Sequence, residues 1–282
     1  MGKKWLIVMK PQNGWFDLHL KEVLQYRDLI FLFVKRNFTT MYKQTILGPI
    51  WIVLTPLINT IISTFVFGTI AGIPSDGVPY FLFYMCGYMA WAYFANCLTT
   101  TSNTFVANAS VFGKVYFPRL TVPISVVITN LMNLAIQIVM FFVFWIYYKV
   151  NGVSVTVSPL AIVVVPILVV EMAILGMGVG IIVSSLTTKY RDLNVVIGFG
   201  VSLWMYVTPV IYSSTTLGTG KLHALVMLNP MAPIIETFRA LLLGTYNIPI
   251  PELIISFIVT LIVLFLGIVM FSRVEKTFMD TV

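Results

Sequence analysis

Hydrophobic positions fall in long, unalternating blocks separated by short polar segments, at residues 47–70, 80–101, 120–147, 160–186, 195–211 and 252–271. A helix needs roughly 20 apolar residues to cross a bilayer core, and the blocks are of that order. Backbone in lipid must satisfy its own hydrogen bonds, which leaves helices or closed barrels, and blocks without barrel-strand alternation select helices. The pattern predicts an all-α integral membrane protein with six transmembrane helices. Pro49 and Pro56 fall near the start of the first span, where Pro56 predicts a kink. Gly176 and Gly180 in the fourth span have the GxxxG spacing of close helix contact. Residues 212–251 break the rule: two apolar pieces too short to span are interrupted by Pro230, Pro233, Gly244, Pro249 and Pro251. They predict short re-entrant outer helices between spans five and six.

Ahead of the first block the pattern changes period. Over residues 17–36, Leu20, Val23, Leu24, Ile30, Phe31 and Val34 recur at helical spacing opposite Lys21, Gln25, Asp28 and Lys35, with Asp17 placed to cap the start. This amphipathic helix suits the headgroup boundary, or a solvated helix packed on a neighbour. No charge lies between Lys43 and Asp76, so Lys43 marks a membrane surface. Six spans divide the cations roughly fourteen to three, with only Lys149, Lys221 and Arg239 opposite the Lys43 side. Positive residues gather in the cytoplasm, which puts both termini there. The expected organisation is a cytoplasmic N-terminus with an interfacial helix over 1–46, a transmembrane domain over 47–272, and a cytoplasmic tail over 273–282. The polar segment 103–119 reads as a cytoplasmic loop.

Composition narrows the chemistry. Charged residues make up 10% of the chain and its formal charge is +7, with a mean hydropathy of +0.97. In this setting the positive charge belongs to cytoplasmic loops and the lipid surface rather than to nucleic acid. Cys86 and Cys97 stand about 16 Å apart along one span and cannot bridge each other. The stretch GTGKL from Gly218 to Leu222 lacks the upstream glycine and the following Ser or Thr of a phosphate-binding loop. His19 and His223 lie on opposite sides of the predicted membrane, so no zinc site or histidine-based triad is expected. These features disfavour an enzyme, including a membrane-embedded transferase.

Glu171 is the one ionisable residue deep in a span, at an insertion cost of about 2.5–3.5 kcal/mol, and is expected to face a polar cavity or a hydrogen-bonding partner. Glu236 and Arg239 are spaced to pair on one helical turn, as a structural clasp on a short outer helix at the interface. Aromatic residues form 14% of the chain. Near span ends they fit an interfacial belt, and at depth they fit a path for sugars, whose C–H faces stack on rings. Candidates for that lining are Trp51, Phe65, Tyr84, Tyr88, Trp91, Trp204 and Tyr206, with Asn59, Asn96, Asn130, Asn133 and Gln137 as polar lining or interhelical glue. Lys35, Arg36 and Lys43 stand where an anionic lipid headgroup lies, although topology alone also accounts for cations there.

Several strings together resemble the polysaccharide-export branch of the type-2 ATP-binding-cassette permeases: YKQTILGPIWIVLTPL from Tyr42 to Leu57, KYRDL from Lys189 to Leu193, LWMYVTPVIY from Leu203 to Tyr212, LNPMAPIIETFRALLLG from Leu228 to Gly244, and VEKTFMD from Val274 to Asp280. Glu171 departs from the family pattern, in a span that is usually apolar. The resemblance implies a homodimer working with two copies of a separate ATPase that binds ATP-Mg, with no cofactor on this chain. It implies export of an undecaprenyl-type lipid-linked glycan (O antigen, capsule or teichoic acid) across the bacterial cytoplasmic membrane. By the same resemblance, Asn108, Lys114, Tyr116, Pro118 and Arg119 couple to the ATPase, while spans one and five line the conduit. A type-2 permease for a small drug or lipid is the alternative within transport.

Overall fold

The computed structural model describes residues 20–43, 48, 50–115, 117–188, 190, 192–218, 220–244 and 248–281. Every regular element among them is helical. Helix α1 (Leu20–Gln25) and helix α2 (Arg27–Tyr42) meet at a break on Tyr26. The single amphipathic helix expected over 17–36 is therefore two pieces, and the second continues to Tyr42; Asp17 lies outside the described residues. Val23, Ile30, Phe33 and Val34 are buried, whereas Leu24 and Phe31, expected on the same apolar face, are exposed together with Leu32.

Helix α3 (Ile50–Ser63) carries Pro56 internally and passes into a π-helical stretch, Thr64–Ile70. Pro56 has no N–H to donate, while its carbonyl accepts from Thr60 Oγ1 at 2.8 Å. Helix α4 (Tyr80–Ser102) follows, then α5 (Thr104–Phe112), α6 (Thr121–Val150), α7 (Ala161–Thr187) and α8 (Leu193–Val207). The segment expected as a cytoplasmic loop over 103–119 is thus largely the helix α5. A 3-10 turn, Ser214–Leu217, leads to α9 (Lys221–Met227) and α10 (Met231–Leu243), which are bent by 90° across Pro230. Helix α11 runs unbroken from Ile250 to Thr281, past the expected end of the last span.

Among the described residues, four helical stretches have the length and apolarity to cross a bilayer: Ile50–Ile70, Thr121–Val150, Ala161–Thr187 and Ile250–Val274. The bent α9–α10 pair makes a fifth if it is one span. Helix α4 has 23 residues, but its Tyr, Trp, Asn and Thr content keeps it out of that strongly apolar group.

Helix α4 is the centre of the main core. Helix α7 closes on it through glycine: a Cβ at Gly176 would lie 2.9 Å from both Cys97 Cβ and the Phe94 carbonyl, and one at Gly180 would lie 2.6 Å from Thr101 Cβ. On its other side α7 meets α11, where a Cβ at Gly267 would stand 2.8 Å from the Gly178 carbonyl. A second, smaller core joins α1 and α2 to α5 and to the end of α11. Its rings form a ladder: Phe33 to Phe117 at 5.6 Å, Phe117 to Phe112 at 5.7 Å, Phe112 to Phe105 at 6.0 Å, and Phe105 to Phe271 at 4.5 Å.

Candidate functional site

Between α2, the end of α4, α5 and the start of α6 lies a groove of about 810 Å³. Its lining residues include the uncharged polar Thr40, Thr99, Thr100, Asn103, Asn108, Thr129 and Asn130, the apolar Met41, Val122 and Val126, and Arg36 as the cation. Arg36 lies over the Phe33 ring at 4.7 Å. Its Nη2 donates to Asn37 Oδ1 at 3.2 Å and to Asn108 Oδ1 at 3.4 Å. The Asn108 amide is oriented by donating from Nδ2 to the Thr104 carbonyl at 3.0 Å. Arg36 Nε also donates to Asn37 Oδ1 at 3.3 Å, so the two amides engage Nε and Nη2 and leave Nη1 as the end of the guanidinium that can meet a phosphate-like oxygen. Of the three cations expected at a headgroup, Arg36 lines this groove, while Lys35 and Lys43 are exposed outside it.

The segment expected to meet an ATPase divides into an outer and an inner part. Lys114 is exposed. Arg119 is only 8% exposed, with its guanidinium 5.3 Å from the centre of the Phe112 ring, so it closes the phenylalanine ladder instead of offering a free surface charge. Pro118 is buried beside it, and Tyr116 lies outside the described residues.

The seven candidate aromatics separate in the same way. Tyr84 and Trp91 are buried inside the chain and face no open path. Tyr84 packs among Phe67, Tyr80 and Phe83, while Trp91 and Phe94 pack against Trp204 at 6.2 and 5.2 Å. Trp204 is anchored through its Nε1, which donates to Asn229 Oδ1 at 3.1 Å. Trp51, Phe65 and Tyr206 are exposed, and Tyr88 is half-buried with its hydroxyl 2.8 Å from Ser63 Oγ.

Glu236 and Arg239 lie 3.6 Å apart on α10, and every residue of α10 is buried inside the protein. Arg239 donates to the Pro209 and Val210 carbonyls at 3.0 Å each and stacks 3.8 Å from the Phe83 ring centre. Glu236 accepts from the Ser214 backbone N–H at 2.9 Å. Helix α10 is thereby fastened to the chain that follows α8 and to α4. Glu171 sits at the α7–α11 contact, where Ser256 Oγ lies 2.7 Å from its carboxyl and 2.8 Å from the Pro230 carbonyl.

Sequence reasoning missed Ser256, Asn229, Phe83 and Gly87 as partners. Gly87 alone left a readable sign, a glycine inside a bulky aromatic run. A Cβ there would lie 2.7 Å from the Val210 carbonyl and 2.9 Å from an Arg239 nitrogen.

A bundle of long apolar helices around a central helix, with four stretches long and apolar enough to cross a bilayer among the described residues, has the build of a multi-pass membrane protein. Residues 28–243 match the ABC-2 type transporter family, and the chain belongs to it. Among its relatives is an O-antigen export system permease protein RfbA of Klebsiella pneumoniae, 29% identical over 221 residues that cover 78% of this chain and 82% of the relative. A second RfbA from the same organism is 27% identical over 268 residues, 94% of this chain and 99% of the relative. The RfbA of Myxococcus xanthus is 25% identical over 223 residues, 79% and 83% of the two chains.

Proposed function

We propose that this chain is the membrane permease of an ATP-driven exporter that carries a lipid-linked polysaccharide across the bacterial cytoplasmic membrane. The observation that carries this reading is the nearly end-to-end similarity to an O-antigen export permease. In it, α3 with its π-helical extension, α4, α6, α7, α8 and α11 are six spans, the bent α9–α10 pair dips in from the outer face, and both termini are cytoplasmic. Two copies assemble with two copies of a separate ATPase, which binds and hydrolyses ATP-Mg. The apolar faces left exposed on α3 and α8, including Ile58, Ile62, Phe65, Val196, Phe199 and Leu203, suit contact with the second copy and lipid.

Each part of the groove has a role in this reading. Arg36, oriented by Asn37 and Asn108, holds the pyrophosphate of an undecaprenyl-type carrier, and the neutral Asn and Thr walls receive the first sugars. Lys114 on the exposed end of the α5 segment meets the ATPase. The Phe33–Phe117–Phe112–Phe105–Phe271 ladder carries its displacement to α2 and α11.

The test is deletion and reconstitution. Deleting the gene should abolish surface polysaccharide and leave lipid-linked glycan inside the cell, and the purified chain should bring down its ATPase. Intact surface polysaccharide in the deletion strain would sink the reading. Lys114→Glu should weaken ATPase association, and an unchanged complex would remove Lys114 from the docking surface.

A further inference from the structure

Helix α5 begins where α4 ends, and the joint between them is held from a third helix. A helix start leaves its first backbone N–H groups without partners, and a helix end does the same to its last carbonyls. Asn103 stands between α4 and α5, and its side chain makes no capping hydrogen bond to α5. The Phe105 N–H in the first turn of α5 donates instead to Ser184 Oγ of α7 at 3.4 Å. Thr187 Oγ1 of α7 donates to the Ser102 carbonyl at the end of α4 at 3.3 Å, sharing its proton with the Ser184 carbonyl at 3.0 Å. Caps that neighbouring residues supply to most helices come here from α7.

These two hydroxyls continue a line of close contact. Gly180, Ser184 and Thr187 recur at i, i+4 and i+7 on one face of α7, and a Cβ at Gly180 would stand 2.6 Å from Thr101 Cβ in the last turn of α4. Ser102, Thr104, Phe105, Ser184 and Thr187 are all buried, so water does not reach the joint to take the place of the hydroxyls. Phe105 also stacks on Phe271 of α11 at 4.5 Å, which fixes this end of α5 to a second helix of the main bundle. The other end is held differently. Phe112, about 10 Å further along the axis, reaches Phe33 of α2 through Phe117, and Lys114 beyond it is exposed. Between the two ends α5 lines the Arg36 groove with Ala107, Asn108 and Val111, and Asn108 Oδ1 receives Arg36 Nη2 at 3.4 Å. An inner cavity of about 410 Å³ between α3, α4 and α6 has no described lining residue on α5.

We infer that Ser184 and Thr187 are positioning residues that make the α4–α5 joint a fulcrum, about which α5 turns as a lever. A push on the Lys114 end swings Asn108 and, through Phe112, Phe117 and Phe33, the helix that carries Arg36. Without the two hydroxyls the joint frays and absorbs the push locally. The inference rests on the reading of α5 as the segment that meets the ATPase, and adds that α7 sets how much of each ATP-driven push reaches the groove.

The double variant Ser184→Ala, Thr187→Val removes both hydroxyls with little change of volume. Purified with its ATPase, it should assemble as wild type does and hydrolyse ATP at close to the wild-type rate. In a complemented deletion strain its surface polysaccharide should fall about fivefold or more, the low end of coupling between distant sites. Thr187→Ser, which keeps the hydroxyl, should export as wild type, whereas Thr187→Val should not; equal export in the two overturns the fulcrum. Hydrogen–deuterium exchange of the purified complex reads the joint directly: Ser184→Ala should speed exchange of the Phe105 amide and leave the middle of α7 unchanged. A Phe105 amide that exchanges as in wild type removes the cap and overturns the fulcrum. ATP hydrolysis and export that fall together, in proportion to the folded protein recovered, would make the two hydroxyls structural and overturn it as well. If the deletion strain keeps its surface polysaccharide, the export reading falls and the fulcrum with it. If deletion abolishes polysaccharide but the double variant exports normally, the fulcrum alone falls.

Discussion

Arg239→Gln is the substitution whose consequence follows most directly from the geometry. The Arg239 side chain has 0% exposure and divides its cation among four partners: the carbonyls of Pro209 and Val210 at 3.0 Å, the Phe83 ring at 3.8 Å, and Glu236 at 3.6 Å. Truncation leaves two buried carbonyls without this donor, at about 1–3 kcal/mol for each group left unsatisfied. It also leaves the Glu236 carboxylate buried without its countercharge, and removing one partner of a buried pair costs about 3–5 kcal/mol. These terms describe overlapping losses, so their sum overcounts, and about 3–5 kcal/mol is the expected total. At about 2–4 °C per kcal/mol for a chain of this size, the melting temperature should fall by at least about 6 °C. Arg239→Lys should recover only part of this, because one ammonium cannot lie flat on Phe83 while reaching both carbonyls. The coupling is measured by a double-mutant cycle with Glu236→Gln, whose amide oxygen still accepts from Ser214. With the second carboxylate already neutral, Arg239→Gln should cost about 1–3 kcal/mol less than in the wild-type background. Detergent-purified variants followed by thermal and denaturant unfolding supply the numbers. A fall of less than 2 °C for Arg239→Gln, or additive effects across the cycle, would refute the clasp.

Three further pairs of substitutions test the geometry. Gly180→Ala places its Cβ 2.8 Å from the Leu98 carbonyl, which is backbone and cannot rotate away; it should lower stability by about 1–3 kcal/mol. Gly198→Ala, which meets nothing within 4 Å, should not destabilise in the same unfolding assay. Ser256→Ala removes the single hydroxyl proton that Glu171 and the Pro230 carbonyl share, for about 1–3 kcal/mol. Glu171→Gln should stay within about 0.5 kcal/mol of wild type, since one serine proton serves two acceptors there and an amide brings another donor. In the groove, Arg36→Gln should reduce surface polysaccharide about tenfold or more, on the scale of a lost charge-assisted hydrogen bond. Lys35→Gln, off the groove, should stay within about twofold.

The helical class and the breaks at proline and glycine were legible because each rests on local chemistry: unalternating apolar runs, a missing N–H. The direction of side chains on α4 was not. That helix is apolar nearly all round, so its period cannot say which rings face inward, and Tyr84 and Trp91 went to the core while Tyr88 lines the inner cavity. Cations misled for a related reason. Arg119 beside Pro118 read as surface, yet Phe112 covers it. Glu236 and Arg239 read as an interfacial pair, yet the carbonyls after α8 and the Phe83 ring make burial tolerable. Those partners lie many residues away in sequence, and spacing within α10 carries no trace of them. The break at Tyr26 and the extension of α2 to Tyr42 are equally tertiary, because the buried Val23, Ile30, Phe33 and Val34 are defined by what α5 and α6 offer.

At about 100° per residue, Phe83, Gly87, Phe94, Leu98 and Thr101 share one side of α4, and Tyr88, Ala92, Asn96, Thr99 and Asn103 share the opposite side. The first side is committed. Arg239 fills it at one end, and the glycines of α7 lock it along the rest, where no Cβ fits between the backbones. Helix α11 is fixed to α7 by the same device. The second side borders the groove and the inner cavity, with Tyr88 reaching Ser63 of α3 at 2.8 Å. Packed interfaces without free volume switch between discrete arrangements instead of sliding, so in the proposed exporter a displacement of α5 would alter the width of the Arg36 groove while leaving the α4–α7–α10–α11 body intact. The buried polar groups of that body are only partly satisfied: Arg239 Nη2 donates to two carbonyls while its Nε finds no hydrogen-bond partner among the described residues, so the clasp is held by charge and ring stacking as much as by hydrogen bonds.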